Sequence, residues 1–440
     1  MIILGNKQPT ARSGALFVLT EIFDKTAYSN IALRHYLSKH KLSQADRSLL
    51  TELVYGTLTR KITLEWYLAH YIEDRNKLET WIYYLLMLSL YQILYLDKIP
   101  QHAIVNEAVD LAKSRNRGAE KLVNAVLRQF LRQKRPDITV IKRKNKRYSI
   151  TYSVPVWLVK KMISQFGEDR AISILKSLLV RSKASIRVVN PDQIEVIAKA
   201  TGAKKSVLSP CGLVKASGQF FDSDLFKQGK ITIQDESSQL VAPTLAIKGN
   251  ETVLDACSAP GGKAVHIASY LTTGQIIALD LYDHKLKLIK DNADRLKAAN
   301  YIKPQKLDAR KVHKYFAKDT FDKILVDAPC SGIGLIRRKP DIKYNKDSKD
   351  FTSLQKIQLE ILDSVCQTIK KGGIITYSTC TIFAEENQMV LKQFLEQHPN
   401  FEQVKLNHKK KDIVVDGCLL ITPEQYLTDG FFISQVKRIS

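Results

Sequence analysis

Two cysteines occupy positions where a thiol could act on a substrate. Cys330 lies in KILVDAPCSG, three residues after Asp327, and Cys380 lies in IITYSTC. Each follows a run of apolar residues of the kind that forms a buried strand. A single cysteine at a strand end is often only a core residue, because free cysteine is among the most buried residue types. Two such cysteines, one beside Asp-Ala-Pro, indicate a shared site.

A glycine-containing loop precedes both cysteines in the chain. The apolar segment TVLDAC runs into SAPGGKAVHI, and two adjacent glycines would allow a tight turn and a close approach of the backbone to a ligand. The loop does not match GxGxxG, so by itself it is a weak signal for a nucleotide. The candidate binding residues in it are Cys257, Ser258, Ala259, Pro260, Gly261, Gly262 and Lys263.

Three aspartates follow successive predicted strands. Asp255 ends the first, Asp280 ends the second 19 residues after Gly261, and Asp308 in KLDAR ends the third. A carboxylate at the second position can accept hydrogen bonds from both hydroxyls of a ribose, and an adenine would lie near the third. A dinucleotide would need its pyrophosphate bound by helix N-terminal amides. A cationic sulfonium without phosphates suits an acidic rim better, which favours S-adenosylmethionine as the cofactor.

One kind of methyl acceptor needs a thiol. Ring nitrogens, hydroxyls and amines carry a lone pair, whereas C5 of a pyrimidine does not. A thiolate that adds to C6 makes C5 nucleophilic, and it leaves after C5 has been methylated and deprotonated. Because the ordinary thiol pKa is about 8.5, the site must favour the thiolate. Asp327 is the candidate for a hydrogen bond to N3 and the 4-amino group, which would favour cytosine over uracil.

The elements that must position these residues alternate between strands and helices from about residue 250 onward. TVLDAC, QIIALDL, KILVDAP and IITYSTC are the strand-like segments, separated by amphipathic segments and by a long helix predicted to end in KKGG. Such alternation predicts a doubly wound α/β sheet, in which ligands bind at the carboxyl ends of the strands. Cys330 and Cys380 are then expected on adjacent strands, facing one cofactor.

The N-terminal part has a different pattern. Residues from about 8 to 133 place apolar side chains at helical spacing throughout, which predicts an all-helical region. The apolar run 81–96 contains Ser89, Gln92 and four tyrosines and is too short for a membrane span, so it predicts a buried helix. KRPDITVIKRKNKRYSI interrupts the pattern as a linker or domain edge, and residues 151–235 mix helices with strand-like segments. We expect domains at 1–140 (helical), 141–235 (small α+β) and 236–440 (catalytic).

The charge favours a polyanionic partner. Sixty-eight basic residues against 44 acidic ones leave a formal net charge of +24. Residues 113–147 hold thirteen basic side chains against Glu120 and Asp137. This segment could be only a solvated helix face with a linker, but a nucleic-acid contact agrees better with the total charge.

The six cysteines predict neither a disulfide framework nor a metal site. They are far apart, form no CxxC pair and have no histidine at ligand spacing. Structural roles are expected for Cys211, Cys366 and Cys418. The N-terminus lacks the basic start and apolar middle of a signal peptide, so a cytoplasmic protein without membrane association is expected.

Several motifs together resemble a known family. DACSAPGGK, ILVDAPCSGIGLIRRKPDIK and YSTCT are similar to the motifs of the RNA cytosine-C5 methyltransferases of the NOL/NOP/Sun group, and ITIQDESSQL and DGFF agree with them. ARSGALFVLTEIF and IVNEAVDLAK resemble the NusB family. A NusB-like helical domain joined to a Rossmann-like class I methyltransferase domain is similar to the bacterial Fmu/Sun type, which methylates 16S ribosomal RNA.

The resemblance implies roles for individual residues. It implies that the loop from Cys257 to Lys263, with Asp280, Asp308 and Asp327, contacts S-adenosylmethionine. It makes Cys380 the nucleophile and gives Cys330 a part in release of the methylated RNA. In the related DNA enzymes a cysteine in a PC motif attacks instead, and the chemistry of the sequence alone leaves this order open.

Lys339 and Thr381 stand where histidine and serine are commoner in the family, which affects the expected RNA contacts rather than the reaction. The implied substrate is one cytosine of 16S ribosomal RNA that is unpaired when it reacts. The RNA is expected to be naked or partly assembled, and the enzyme is expected to be a monomer.

Two other functions compete with this interpretation. A NusB-like docking protein would lack the thiols or the glycine loop, and a DNA cytosine methyltransferase would use Cys330 as its nucleophile.

Overall fold

The computed structural model describes residues 9–440 except 26, 217, 219 and 222. The described chain divides into two compact units. One contains the residues through Leu179 together with Lys339–Asn345, and the other contains Val180–Arg338 and Lys346–Ser440. No helix among the described residues is both long enough and apolar enough to cross a bilayer.

The first unit is helical, as the periodicity predicts. The residues Trp81–Ile93 of its central helix are all buried, so the apolar run is a core element. The Ser43 hydroxyl accepts a hydrogen bond from the amide of Asp46 at 3.1 Å and caps a helix start, as expected for such a residue. The described helices are α1 (Ala11–Lys25), α2 (Ser29–Lys39), α3 (Gln44–Thr59), α4 (Lys61–Leu68), α5 (Thr80–Tyr95), α6 (Gln101–Arg115), α7 (Ala119–Arg132), α8 (Lys144–Tyr152), α9 (Val156–Phe166) and α10 (Glu168–Ser177).

The expected linker is partly helical, which corrects the sequence prediction. Residues 144–152 form α8, because the Thr63 hydroxyl donates a hydrogen bond to the carbonyl of Ile150 at 2.5 Å and the amide of Ile62 donates one to Ser153 Oγ at 3.0 Å. These contacts with α4 hold a basic segment that has little helical signal of its own. The helices α8–α10 belong to the helical unit, so its end does not coincide with the expected boundary at 140. The division into three domains remains a prediction.

The second unit begins with a small antiparallel sheet in the strand order β2-β3-β1-β4. Ile186 and Val188 of its central strand are buried against Leu213 and Ile231. A small α+β region between the helical and catalytic parts was predicted, and its fold is confirmed. Its elements are β1 (Ala184–Val188), α11 (Ile194–Thr201), β2 (Lys204–Lys205), β3 (Gly212–Lys215), α12 (Asp224–Lys227) and β4 (Ile231–Ile233).

A larger mixed sheet follows in the order β11-β12-β13-β9-β8-β5-β6-β7. The five adjacent strands β9, β8, β5, β6 and β7 are parallel to one another. Strand β13 pairs antiparallel with β9, β12 and β10. The predicted Rossmann-like sheet is confirmed. Its elements are α13 (Val241–Thr244), β5 (Thr252–Asp255), α14 (Gly262–Ala268), β6 (Gln275–Asp280), α15 (Asp283–Arg295), β7 (Ile302–Lys306), α16 (Val312–Tyr315), β8 (Phe321–Asp327), α17 (Ser348–Val365), β9 (Ile369–Thr379), α18 (Gln388–Gln397), β10 (Phe401–Val404), β11 (Val414–Val415), β12 (Cys418–Ile421), α19 (Pro423–Tyr426) and β13 (Phe431–Arg438).

The KKGG segment lies in a strand, not at the end of the long helix as predicted. The helix α17 ends at Val365, and β9 already begins at Ile369. Phe321 pairs with Ile369 but Lys323 pairs with Ile374, so residues 370–373 form an irregular insertion in β9. Gly372 has a φ of +77°, a conformation that glycine adopts without strain.

Candidate active site

The carboxyl ends of the parallel strands bring most of the predicted site residues to one edge of the sheet. Asp255, Asp280 and Asp327 are the last residues of β5, β6 and β8, and β9 ends immediately before Cys380. Asp327 and Ser378 are register partners on the neighbouring strands β8 and β9. The predicted adjacency of the two cysteine strands is therefore confirmed.

The two thiols are in direct contact. The sulfur atoms of Cys330 and Cys380 are 3.1 Å apart, and the backbone amide of Cys380 lies 3.3 Å from Cys330 Sγ. The hydrogen bond with Cys380 and then burial raise the pKa of Cys330 well above its ordinary value. Cys330 therefore retains its proton and can donate it toward Cys380 Sγ.

A partly buried ion pair lies beside the thiols. Lys263 Nζ donates a hydrogen bond to Asp327 Oδ2 at 2.7 Å, and the Ser378 hydroxyl donates one to Oδ1 at 2.8 Å. Burial alone would lower the pKa of Lys263, but the Asp327 carboxylate outweighs it and the pKa is raised. The charge of a Cys380 thiolate raises this pKa further, so the lysine in turn favours that thiolate.

The glycine loop opens onto a cavity of about 320 Å³. Gly261 has a φ of +94°, and its amide donates a hydrogen bond to the carbonyl of Ser258 at 2.7 Å, which completes the tight turn before α14. A Cβ at Gly262 would meet no atom within 4 Å, so the backbone there faces open space. The cavity is lined by Ile233, Gln234, Asp235, Ser237, Ser238, Ser258, Ala259, Pro260, Gly262, Lys263, Asp327, Ala328, Leu335, Arg338, Cys380, Asp429 and Phe431.

Two aspartates at the strand ends have the acceptor chemistry that a nucleoside requires. Asp255 is fully buried, and burial raises its pKa to about 7, although the nearby Ser258 favours the charged form. Neither of its carboxylate oxygens makes a hydrogen bond of normal geometry. Asp280 accepts a hydrogen bond from the amide of Leu281 at 2.8 Å, and Lys285 Nζ is 3.6 Å away. The acceptors of these two aspartates and the open space at Gly262 fit a ligand with hydroxyl and ammonium donors. Neither aspartate lines the described cavity, so their contacts with a cofactor stay a prediction.

Two predicted contact residues are not placed as expected for direct contacts. The carboxylate of Asp308 accepts hydrogen bonds from Arg310 Nε at 3.0 Å and Nη2 at 2.7 Å, which lower its pKa, and Asp308 does not line the described cavity. Its role in cofactor binding remains a prediction. Cys257 does not line that cavity either, and burial and then the charge of Asp255 raise the pKa of its thiol. Its contact with a cofactor also remains a prediction.

A charged cluster in the cavity wall was not predicted as part of the site. Arg338 Nε donates to Asp429 Oδ1 at 3.0 Å, and its Nη2 donates to Asp235. Burial and the neighbouring Asp235 raise the pKa of Asp429 to about 7, although Arg338 opposes this. The residues of this cluster stand in the sequence segments QDES, RRKP and DGFF, which contributed above only to the family resemblance.

Among the described residues no group of three acidic, histidine or cysteine side chains is placed to hold a metal ion.

The mixed sheet, the glycine loop, the aspartates at the strand ends and the cavity beside Asp327 and Cys380 define a methyltransferase of the Rossmann-like class. Comparison with known proteins identifies its family. Residues 242–437 match the model of the 16S rRNA methyltransferase RsmB/F family, and residues 9–132 match that of the NusB family. The chain belongs to the RsmB/F family of 16S rRNA methyltransferases.

Relatives extend over nearly the whole chain. A probable ribosomal RNA small subunit methyltransferase B from Bacillus subtilis (strain 168) is 42% identical over 445 residues, which cover 98% of this chain and 99% of the relative. Ribosomal RNA small subunit methyltransferase B from Proteus mirabilis (strain HI4320) is 33% identical and covers 90% of this chain and 92% of the relative. The match includes both the helical and the catalytic parts.

Solved structures have the same fold. The crystal structure of a protein named PH0851 superposes with a TM-score of 0.83 at 25% identity, covering 99% of this chain and 100% of that one. NSun6 from Pyrococcus horikoshii, solved with SFG, gives a TM-score of 0.58 at 21% identity and covers 65% of this chain and 98% of that one. The second likeness concerns the fold alone.

Proposed function

We propose that this protein transfers a methyl group from S-adenosylmethionine to C5 of one cytosine in 16S ribosomal RNA, through a covalent bond between Cys380 and C6 of the base. The observation that carries the proposal is the set of three groups at the cavity: the Cys380 thiol, the Lys263 ammonium and the Asp327 carboxylate. Family membership supports the substrate, because the relatives are named as small-subunit ribosomal RNA methyltransferases.

Cys380 acts as the nucleophile. Its sulfur lies in the cavity wall, and the nearby positive charge of Lys263 favours the thiolate over the thiol. The neighbouring Cys330 thiol, 3.1 Å away, donates a hydrogen bond that stabilises the same anion. Attack of the thiolate on C6 places the electrons at C5, which becomes a carbon nucleophile.

Asp327 orients the base and selects cytosine. Each of its oxygen atoms accepts one hydrogen bond from the protein, from Lys263 and from Ser378, and each has a second lone pair available. The 4-amino group of cytosine can donate to this carboxylate, whereas O4 of uracil cannot. If uracil were bound instead, the Asp327 carboxylate would face O4, which is itself an acceptor.

The cofactor, when bound, supplies an electrophilic methyl group. The loop Cys257–Lys263 provides backbone groups for it, and Asp280 accepts hydrogen bonds from its ribose hydroxyls. Asp255 is fully buried at the end of the adjacent strand β5, and a cation bound nearby would favour its charged form.

Cys330 assists release of the methylated base. Because its pKa is raised, it holds a proton beside the sulfur atom that must leave C6. When a basic group or water removes the C5 proton, the electron pair of the C5–H bond re-forms the C5–C6 double bond and the C6–sulfur bond breaks. Transfer of the Cys330 proton to the departing Cys380 thiolate prevents the thiolate from adding again. The net charge of +24 and the NusB-like helical part provide surfaces for the RNA, naked or partly assembled, in the cytoplasm. The target base must be unstacked before it can reach the thiol.

The test is transfer of a labelled methyl group from S-adenosylmethionine to unmodified, protein-free 16S ribosomal RNA, followed by bisulfite sequencing to locate the product. Methylation at one cytosine that disappears in the Cys380→Ala variant supports the proposal. A fully paired target that is methylated equally well would contradict the unstacking step. Cofactor binding without transfer to this RNA directs the search to partly assembled subunits, and the absence of cofactor binding favours a docking protein.

A further inference from the structure

A buried carboxylate lies behind the loop that carries Cys330. Glu386, in the short helical turn Ala384–Glu386 after β9, has no exposed surface. Its Oε1 accepts a hydrogen bond from the backbone amide of Ser331 at 2.7 Å, and its Oε2 accepts one from the Ser331 hydroxyl at 2.6 Å. Ser331 directly follows Cys330, so the carboxylate holds the backbone beside this thiol.

The same carboxylate is connected to the loop that carries Cys380. The Ser331 hydroxyl is 3.1 Å from Thr381 Oγ1, and Thr381 directly follows Cys380. The Tyr377 hydroxyl, from β9, donates a hydrogen bond to the main-chain carbonyl of Glu386 at 2.6 Å. Through the Ser331 hydroxyl, Glu386 is therefore connected to the backbone that follows both Cys330 and Cys380.

The long helix α17 supplies a third support. Gln358 Nε2 donates hydrogen bonds to the carbonyl of Pro329 at 2.9 Å and to Glu386 Oε1 at 3.2 Å. Pro329 directly precedes Cys330. The backbone is thus held on both sides of this cysteine, and both contacts lead to the same carboxylate.

Glu386 also acts on Cys330 through its charge. Burial raises the pKa of Glu386, while the donors Ser331, Gln358 and Thr381 oppose this. The pKa of Cys330 is raised by the hydrogen bond with Cys380, by burial, by the charge of Cys380 and then by that of Glu386. Tyr377 also lies close to this thiol, and the charge of a Cys330 thiolate raises the pKa of Tyr377 after burial does.

We propose that Glu386 is a positioning residue for the methyl transfer. It holds the loops of Cys330 and Cys380 so that their sulfur atoms stay in contact, and it keeps Cys330 in the thiol form that release of the product requires. Glu386 does not line the described cavity, so it acts through the cysteines and not on the substrate. The inference rests on the proposed roles of the two thiols.

The first experiment needs neither RNA nor cofactor. The Glu386→Gln variant keeps the shape of the side chain and removes its charge, and Glu396→Gln, at an exposed position of α18, is the matched control. Alkylation of Cys330 by iodoacetamide is followed against pH by peptide mass spectrometry. The midpoint is expected to move to lower pH in Glu386→Gln and to stay unchanged in the control. Identical profiles in both variants and the unmodified protein would overturn the electrostatic role.

The second experiment measures turnover on RNA. Glu386→Gln is expected to lower kcat by about 100-fold, because a displacement of about 1 Å of a catalytic group has this effect, while KM for RNA stays within about twofold. A covalent protein–RNA adduct should accumulate as a shifted band on a denaturing gel. A simple loss of stability would lower product and adduct together, which would contradict the positioning role.

If Glu386→Gln does not fold, a second variant tests the same proposal. Ser331→Ala keeps the amide contact with Glu386 and removes the hydroxyl link to Thr381, so kcat should fall about tenfold with the same adduct. A rate equal to that of the unmodified protein would overturn the proposal. A shifted alkylation profile in a protein that never methylates 16S ribosomal RNA would reject the proposed function but keep the positioning of the thiols.

Discussion

Two cysteine sites in the catalytic unit differ in what surrounds the sulfur. In one, Cys380 lies in a cavity wall with Cys330 and the partly buried Lys263 nearby. In the other, Cys366 Sγ is 3.8 Å from His398 Nδ1, and His398 Nε2 is 2.8 Å from Asp363 Oδ1, which is the residue set of many thiol enzymes. Yet Cys366 is only 5% exposed, and burial and Asp363 raise the pKa of its thiol to about 12.

The difference shows that residue types at suitable distances do not make a nucleophile. A reactive thiol needs a positive charge to favour the thiolate and space for a substrate. Lys263 and the cavity provide both for Cys380. Cys366 has a carboxylate beyond its histidine and a nearly closed environment, which agrees with the structural role expected for it.

The strongest test of this comparison removes each sulfur in turn. Cys380→Ala is expected to lower kcat/KM for methyl transfer by about 10,000-fold or more, because the covalent step is lost. Cys366→Ala should stay within about twofold of the unmodified protein, since its thiol touches no reacting group. Initial rates with labelled S-adenosylmethionine measure both. An active Cys380→Ala protein would move the nucleophile to Cys330, as in a DNA cytosine methyltransferase.

The next test separates the two thiols of the first site. Cys330→Ala removes the proposed proton donor beside Cys380 without removing the proposed nucleophile, so turnover should fall about 100-fold and the covalent RNA adduct should accumulate. Denaturing gel electrophoresis after reaction with labelled RNA detects the shifted band. A gel without that band, at a normal rate of first turnover, would count against a role in release.

Removal of the lysine should make the first site resemble the second. In Lys263→Met a thiolate at Cys380 loses its neighbouring cation, so alkylation by iodoacetamide should require a higher pH and kcat should fall about tenfold or more. Lys392→Met, at a position whose side chain is 78% exposed, is the control and should leave the alkylation profile unchanged. An unaltered profile for Lys263→Met would mean that another group favours the thiolate.

The smallest effects belong to the second site. Because the pKa of Cys366 is about 12, its alkylation below about pH 10 should be negligible in the folded protein and should appear only in denaturant. His398→Ala should leave methyl transfer unchanged and lower the free energy of unfolding by about 1 kcal/mol through the lost contacts. Urea unfolding and activity measurements on one sample test both; a loss of activity would give the second site a function.

The sequence predicted the strand ends correctly. Its predictions were wrong where contacts between distant segments determine the secondary structure. The alternation of apolar strands and amphipathic helices was enough to place Asp255, Asp280 and Asp327 at one edge, because parallel strands share a direction. The same reasoning placed KKGG at a helix end and residues 144–150 in a linker, since both depend on pairing partners far away in the chain. Arg310, which occupies the carboxylate of Asp308, was visible in KLDAR but was not considered.

The sequence by itself determined the fold class and the candidate thiols, because hydrophobic periodicity and motif spacing are properties of the chain alone. Only the tertiary structure decided how these residues act on each other. The contact between Cys330 and Cys380, the ion pair of Lys263 with Asp327 and the support by Glu386 each join segments at least 50 residues apart. Such contacts depend on the register of β8 against β9, and the pKa of each group depends on its burial, which no local pattern specifies.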